Sequence, residues 1–163
     1  MIVVSDTSGI CYLLLIDQIN VLPQLYGVVM IPQAVFDELR ADESPTVVRN
    51  WIMQPPEWLV IQTAGVSSDA TLERLDPGER EAILLAEQVV ADLVVLDDKA
   101  ARRIALERSL RIIGLVGILR DAARAGLLDL AATFERLREA GFWVAPGLLQ
   151  LLLDTELNTD KSG

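Results

Sequence analysis

IVVSD at residues 2–6 and LVVLDD at residues 93–98 follow one pattern: a short unbroken apolar run that ends on carboxylates. A run apolar at successive positions, not alternate ones, reads as a strand covered on both faces, as in a parallel α/β sheet. In such sheets functional groups gather outside the carboxyl ends of the strands, and Asp6, Asp97 and Asp98 stand there. Carboxylates held together repel one another and cost stability unless something positive binds between them. The chain contains no histidine, so a divalent cation held by oxygen ligands is the leading candidate.

Working outward from these two runs, strands and helices alternate. A helix is expected from Ser8, a short helical turn over 21–25, a strand over 28–31 and a helix from Pro32 to Arg40. A helix over 46–53, a strand over 58–62 and a loop over 63–69 follow. Asp76-Pro77-Gly78-Glu79 opens a helix to about Val90. After the strand at 93–96 come a basic helix to Leu110 and a brief strand over 111–113. Three helices close the chain, over 115–125, 129–140 and 146–154. This order gives an α/β fold, a parallel sheet with helices on both faces. No repeat or low-complexity tract interrupts it. A single domain is expected over 1–157 with a flexible tail over 158–163, Gly114 and Gly126 reading as turns and not as linkers.

Composition narrows the chemistry. With 163 residues and 52% apolar content the chain can bury one substantial core. The start MIVVSDTSG lacks a basic region and breaks at Asp6, so no signal peptide is expected. No apolar run reaches the roughly 20 residues that span a bilayer. The single cysteine, Cys11, forms no internal disulfide, which suits a reducing cytoplasm. It lies in an apolar stretch without a histidine to activate it, and reads as a small core residue. The absent histidine also excludes histidine-ligated zinc and any histidine-based triad. A net charge of −10 argues against a general nucleic-acid coat. Yet residues 1–98 hold 16 acids and 4 bases, while seven of the 14 bases fall between Lys99 and Arg124. A local site for an anionic substrate is compatible with that asymmetry.

Each acid has a structural reading beside the functional one. Asp6 precedes Thr7 and Ser8; it can cap the first helix, or Ser8 can cap it and leave Asp6 free. Glu38 shares a helix face with Ala34 and Val35, where a charge needs a partner, whereas Asp37 points elsewhere. Asp76, Pro77 and Glu79 fit a capping box. Glu79 also tops the stripe Ala82, Ile83 and Ala86, with Glu81 and Glu87 expected toward solvent. Asp97 and Asp98 are adjacent and one helix needs one cap, so one is expected to be structural and the other to face the site. The sequence leaves open which. Four acidic positions at strand ends or on the following helices converge most simply on a cation of the Mg²⁺ or Mn²⁺ type, with room for one ion or two.

Taken in order, Ser5-Asp6-Thr7-Ser8, Ile31-Pro32-x-x-Val35-x-x-Glu38-Leu39, Gly78-Glu79-x-x-Ala82-Ile83-x-x-Ala86 and Leu96-Asp97-Asp98-x-x-Ala101-Arg102 resemble a PIN domain. More narrowly the chain resembles the small prokaryotic PIN-like proteins related to toxins of type II toxin–antitoxin operons. Gly114-x-x-Gly117-Ile118-Leu119, Ala125-Gly126-Leu127 and Gly141-Phe142 continue the likeness, which covers about residues 2–154. The resemblance implies a three-layer α/β/α sandwich with a mostly parallel sheet and extra C-terminal helices. It implies a Mg²⁺- or Mn²⁺-dependent endoribonuclease whose acidic quartet maps onto Asp6, Glu38, Glu79 and the Asp97-Asp98 pair. Asp6, Glu79, Asp97 and Asp98 would be the metal ligands. Thr7 or Ser8 would supply a hydroxyl beside the metal, and Lys99, Arg102 and Arg103 are candidates for substrate phosphate contacts. Since Arg102 and Arg103 are neighbours, at most one is expected to serve the site. A homodimer and a cognate antitoxin are the implied partners. The chain departs from many relatives in Leu96, where they carry Thr or Ser, and in Glu79, where they carry Asp.

Two other classes compete. A haloacid-dehalogenase-type phosphatase also places Asp after the first strand, but needs a second Asp two residues on, where this chain has Ser8. A catalytically silent PIN-like scaffold or partner-binding protein is the stronger rival, favoured by the scarcity of bases and opposed by the complete set of acids. Neither a phosphate-cradling loop with its Lys nor a dinucleotide fingerprint occurs. Phe142, Trp143 and the apolar run 148–153 read as core or as a subunit contact.

Overall fold

The computed structural model describes residues 1–144 together with 147, 148, 150, 151 and 154. The expected helix over 146–154 falls partly, and the tail over 158–163 wholly, outside the described residues. The chain forms two compact units, Met1–Leu115 and Val116–Gly163.

The first unit is built on five parallel strands, β1 (Val3–Ser5), β2 (Val29–Pro32), β3 (Leu59–Gln62), β4 (Leu93–Val95) and β5 (Ile112–Ile113), in the order β3-β2-β1-β4-β5. Around them run α1 (Thr7–Leu15), α2 (Val21–Tyr26), α3 (Gln33–Leu39), α4 (Thr46–Met53), α5 (Pro77–Gln88) and α6 (Lys99–Glu107). A 3-10 turn over Leu72–Arg74 occupies a stretch to which the sequence reading gave no element. The expected strands are present and all pair in parallel, so the sheet is wholly parallel and not merely mostly so.

The unbroken apolar runs have the cause inferred for them: both faces of the sheet are covered. Val3, Val4, Val94 and Val95 are at most 1% exposed. On one face Val4, Val94 and Leu96 join Ala82, Ile83, Leu85 and Ala86 of α5 and Ala101, Ile104 and Ala105 of α6 in a single apolar cluster. On the other, Gly9 of α1 approaches β4 so closely that a Cβ there would stand 2.9 Å from Cγ1 of Val95. The result is the three-layer sandwich. The strand order follows from the path of the chain. The chain steps outward from β1 to β2 to β3, then returns across the sheet through α5 to lay β4 on the free side of β1. Register joins Val3 to Leu93, Val4 to Val94 and Ser5 to Val95. The crossover direction therefore reverses between β1 and β4, the switch point at which open α/β sheets form a crevice beyond the carboxyl ends of the strands.

In the second unit, α7 (Leu115–Arg124) starts at the boundary and α8 (Leu130–Glu139) follows. Asp129 caps α8 by accepting the Ala132 N–H at 3.0 Å. Ile118, Leu119 and Ala122 on α7, and Leu130, Phe134 and Leu137 on α8, are buried at helical spacing.

Candidate active site

Asp6 is placed by the strand that precedes it. Its backbone N–H continues the β1 ladder to the carbonyl of Val95 at 3.1 Å. Its side chain then turns onto α1, accepting the Gly9 N–H at 3.1 Å and the Ser8 hydroxyl at 3.2 Å. The alternative in which Ser8 caps the helix is thus overturned. Asp6 carries the extended backbone a cap requires, while Ser8 already lies inside α1. Capping does not settle the charge. Asp6 is 2% exposed, and burial pushes its carboxyl from 3.8 up to about 7, against the Gly9 N–H and with help from the charge of Asp97.

Glu79 stands in the first turn of α5. The expected capping box is absent, because the Asp76 side chain makes no capping bond at the head of this helix. Pro77 has no N–H to offer, and the Glu79 carboxyl is raised from 4.5 to about 7 by burial and then by Asp98, Asp76, Asp6 and Glu38. That order of causes places Glu79 amid the other acids, with Asp76 as an unanticipated member of the group.

Asp97 and Asp98 divide their work differently from the expected split. Asp98 caps α6 by accepting the Ala101 N–H at 3.0 Å. Asp97 accepts the Leu115 N–H on both oxygens, at 3.1 and 3.2 Å. Both are therefore anchored to backbone, and both act electrically on the site, Asp97 on Asp6 and Asp98 on Glu79. Burial raises the Asp97 carboxyl, against the Leu115 N–H and the charge of Arg102. All three bases opening α6 are exposed, and of them Arg102 acts on the charge of Asp97. A Cβ on Gly114 would lie 2.8 Å from Oδ1 of Asp97 and 3.3 Å from Nη1 of Arg102. Leu96, a departure from the family pattern, is turned by strand alternation into the apolar cluster under α5 and α6, where it is 0% exposed.

Glu38 reaches the group from α3. One carboxylate oxygen takes the Thr7 hydroxyl and the other the Gly78 N–H at 3.0 Å. Glu81, expected to face solvent, instead accepts the Ala34 N–H at 3.2 Å. The packing of α3 against α5 overrides the exposure read from periodicity alone. Gly78 and Glu81 are the site-supporting residues that sequence reasoning missed. A glycine in the first turn of an otherwise good helix, where it costs about 1 kcal/mol, was the available signal for the first. Nothing local marked the second.

Asp6, Glu38, Glu79, Asp97 and Asp98 thus come from five separate elements or their ends. Thr7 and Ser8 come with them as donors to Glu38 and Asp6. Among the described residues, no three histidine, cysteine, aspartate or glutamate side chains are gathered into a ready metal cluster. The carboxylates of Asp6, Glu38, Asp97 and Asp98 are turned onto N–H and O–H donors instead. Their chemistry nonetheless fits a hard cation: oxygen donors alone, one of them buried, held near one another at mutual cost.

A parallel sheet carrying coupled carboxylates at its switch point defines an α/β protein of the acidic-site kind. The family follows from the sequence as a whole. A family model described as a PIN domain matches residues 2–156, and the chain belongs to that family. No curated protein matches it. PIN domains are generally nucleases and usually use divalent metal ions, so the fold is of nuclease type and a hydrolase is its coarse assignment. No helix of the described residues is long and apolar enough to cross a membrane.

Proposed function

We propose that this chain is a Mg²⁺- or Mn²⁺-dependent endoribonuclease that hydrolyses phosphodiester bonds at the β1–β4 crevice. The observation that carries the reading is Asp6: a carboxyl 2% exposed, held near 7 and coupled to Asp97 and, through Glu79, to the rest of the group. A site that keeps so costly a group, with no basic side chain paired to Asp6 among the described residues, suits the receipt of positive charge.

Asp6, Glu79, Asp97 and Asp98 would hold the ion. When bound, the ion supplies an activated water, polarises a phosphoryl oxygen and offsets charge on the leaving 3′-oxygen. The chain's own residues do the remaining work. Glu38, oriented by the Thr7 hydroxyl and the Gly78 N–H, closes the acid group from the α3 side. Glu79, half-buried in the first turn of α5, faces the charges of Asp98, Asp76, Asp6 and Glu38. Arg102, which acts on Asp97, is the base best placed to meet a substrate phosphate, with Lys99 at the first position of α6 and Arg103 beside it as further candidates. By the family resemblance the reading extends to residues 1–157 acting as one domain, to a homodimer in the cytoplasm, and to a toxin held by a cognate antitoxin.

The test is calorimetric titration of Mn²⁺ into the protein and into Asp6→Asn, followed by cleavage of single-stranded RNA with and without chelator. Saturable binding and chelator-sensitive cleavage, both lost in the variant, support the proposal. Absence of binding and of cleavage in the wild type overturns it in favour of the silent scaffold.

A further inference from the structure

The first N–H groups of a helix have no partner inside that helix and must find one elsewhere. The second residue of α3 is Ala34, and the second residue of α5 is Gly78. Neither helix is capped by its own N-cap side chain: Pro32 precedes α3, and Asp76 makes no such bond. Each orphan is satisfied by a glutamate of the other helix. Glu81 of α5 accepts the Ala34 N–H at 3.2 Å, and Glu38 of α3 accepts the Gly78 N–H at 3.0 Å. The two bonds run in opposite directions across one helix pair.

We propose that this reciprocal capping of α3 and α5 is a brace, and that it makes Glu81 a positioning residue that sets Glu38 in the acid site. The role given to Glu38 rests on the function proposed above; the brace itself does not. The geometry gives three reasons. First, Glu81 grips the start of α3, one turn before Glu38 on the same helix face, so it controls the approach of that helix to α5. Second, the approach is close. A Cβ on Gly78 would clash with Oε2 of Glu38 and stand 3.0 Å from its Cδ, so this carboxylate can dock on α5 only where no side chain intervenes. Third, each carboxylate meets the positive end of the partner helix, which strengthens both bonds together.

The two amides provide a direct readout. Without an intrahelical acceptor, the exchange protection of Gly78 depends on Glu38 and that of Ala34 on Glu81. Amide exchange is measured by NMR on the full chain for wild type, Glu81→Gln, Glu81→Ala and Gly78→Ala, with Mn²⁺ affinity by calorimetry on the same samples. In Glu81→Ala exchange is expected to accelerate about 10-fold or more at Gly78 as well as at Ala34, with Mn²⁺ affinity falling about 10-fold. Glu81→Gln, which keeps an acceptor oxygen, should restore most of both. In Gly78→Ala the added Cβ displaces the far end of the Glu38 side chain, and Ala34 should lose protection in turn.

If Glu81→Ala frees Ala34 but leaves Gly78 protection and Mn²⁺ affinity at wild-type values, Glu81 is a local cap and the proposal fails. Should Glu81→Ala not fold, Glu81→Gln and Gly78→Ala decide the matter through the same two amides. Glu38→Gln separates the two readings. If it leaves Mn²⁺ binding untouched, the proposed function loses its α3 arm, while the exchange data still decide the brace.

Discussion

Replacing Asp6 by Asn should stabilise the metal-free protein while destroying its response to metal. Burial lifts the Asp6 carboxyl from 3.8 to about 7. Each tenfold change in proton affinity is worth about 1.4 kcal/mol, so the buried charge costs the folded state about 4 kcal/mol once fully ionised. The sign follows from which state holds its proton. As pH rises through about 4 the unfolded chain ionises while the folded chain does not, so stability falls. The loss continues to about pH 7, where the folded carboxyl also ionises, and then levels off. Asn caps a helix about as well as Asp and carries no charge, so its curve should be flatter over this range.

The assay is urea unfolding in chelator from about pH 4 to about pH 8, with Asn expected near equality at the acid end and ahead by about 2–4 kcal/mol at the other. Saturating Mn²⁺ should close most or all of that gap, adding about 3 kcal/mol to the wild type at a hundredfold excess over Kd and nothing to the variant. Parallel pH curves for the two proteins would refute the reasoning, because the penalty would then not reside in the Asp6 charge.

Three further substitutions probe the surroundings. Val90, 81% exposed just beyond α5, has φ 52, a left-handed conformation that strains a β-branched side chain; Val90→Gly should stabilise by about 1 kcal/mol in thermal unfolding with Mn²⁺ affinity unchanged. Thr7→Val keeps shape but removes the hydroxyl donated to Glu38, and calorimetry should show about 10-fold weaker Mn²⁺ binding. Gly114→Ala places a methyl 2.8 Å from Oδ1 of Asp97; it should cost about 1–2 kcal/mol in urea unfolding and weaken Mn²⁺ binding.

The sheet was legible because burial on both faces leaves a mark on every residue of a strand. Val3, Val4, Val94 and Val95 could be placed without knowing what covers them. Asp6, Asp97 and Asp98 were legible for the same reason, standing where those marks stop. Strand order was not, since nothing local in β4 says that it pairs with β1. Glu38 and Glu79 could be picked out as charges on apolar stripes, but their partners could not. Glu38 is oriented by Thr7 and Gly78, which lie 31 and 40 residues away in sequence. Glu81 shows the limit most plainly, because a position that periodicity assigns to solvent can still cap a neighbouring helix.

That β1 lies at the centre of the sheet while β4 enters late has a consequence for biosynthesis. A nascent chain can pair β1, β2 and β3 from its first 62 residues, but one edge of β1 then stays open, with unpaired backbone groups exposed to any neighbouring strand. The same docking event that seals this edge, Val3 to Ser5 against Leu93 to Val95, also brings Asp97 beside Asp6. Protection from aggregation and assembly of the acid site are therefore one step. A ribosome-bound fragment ending before β4 has neither.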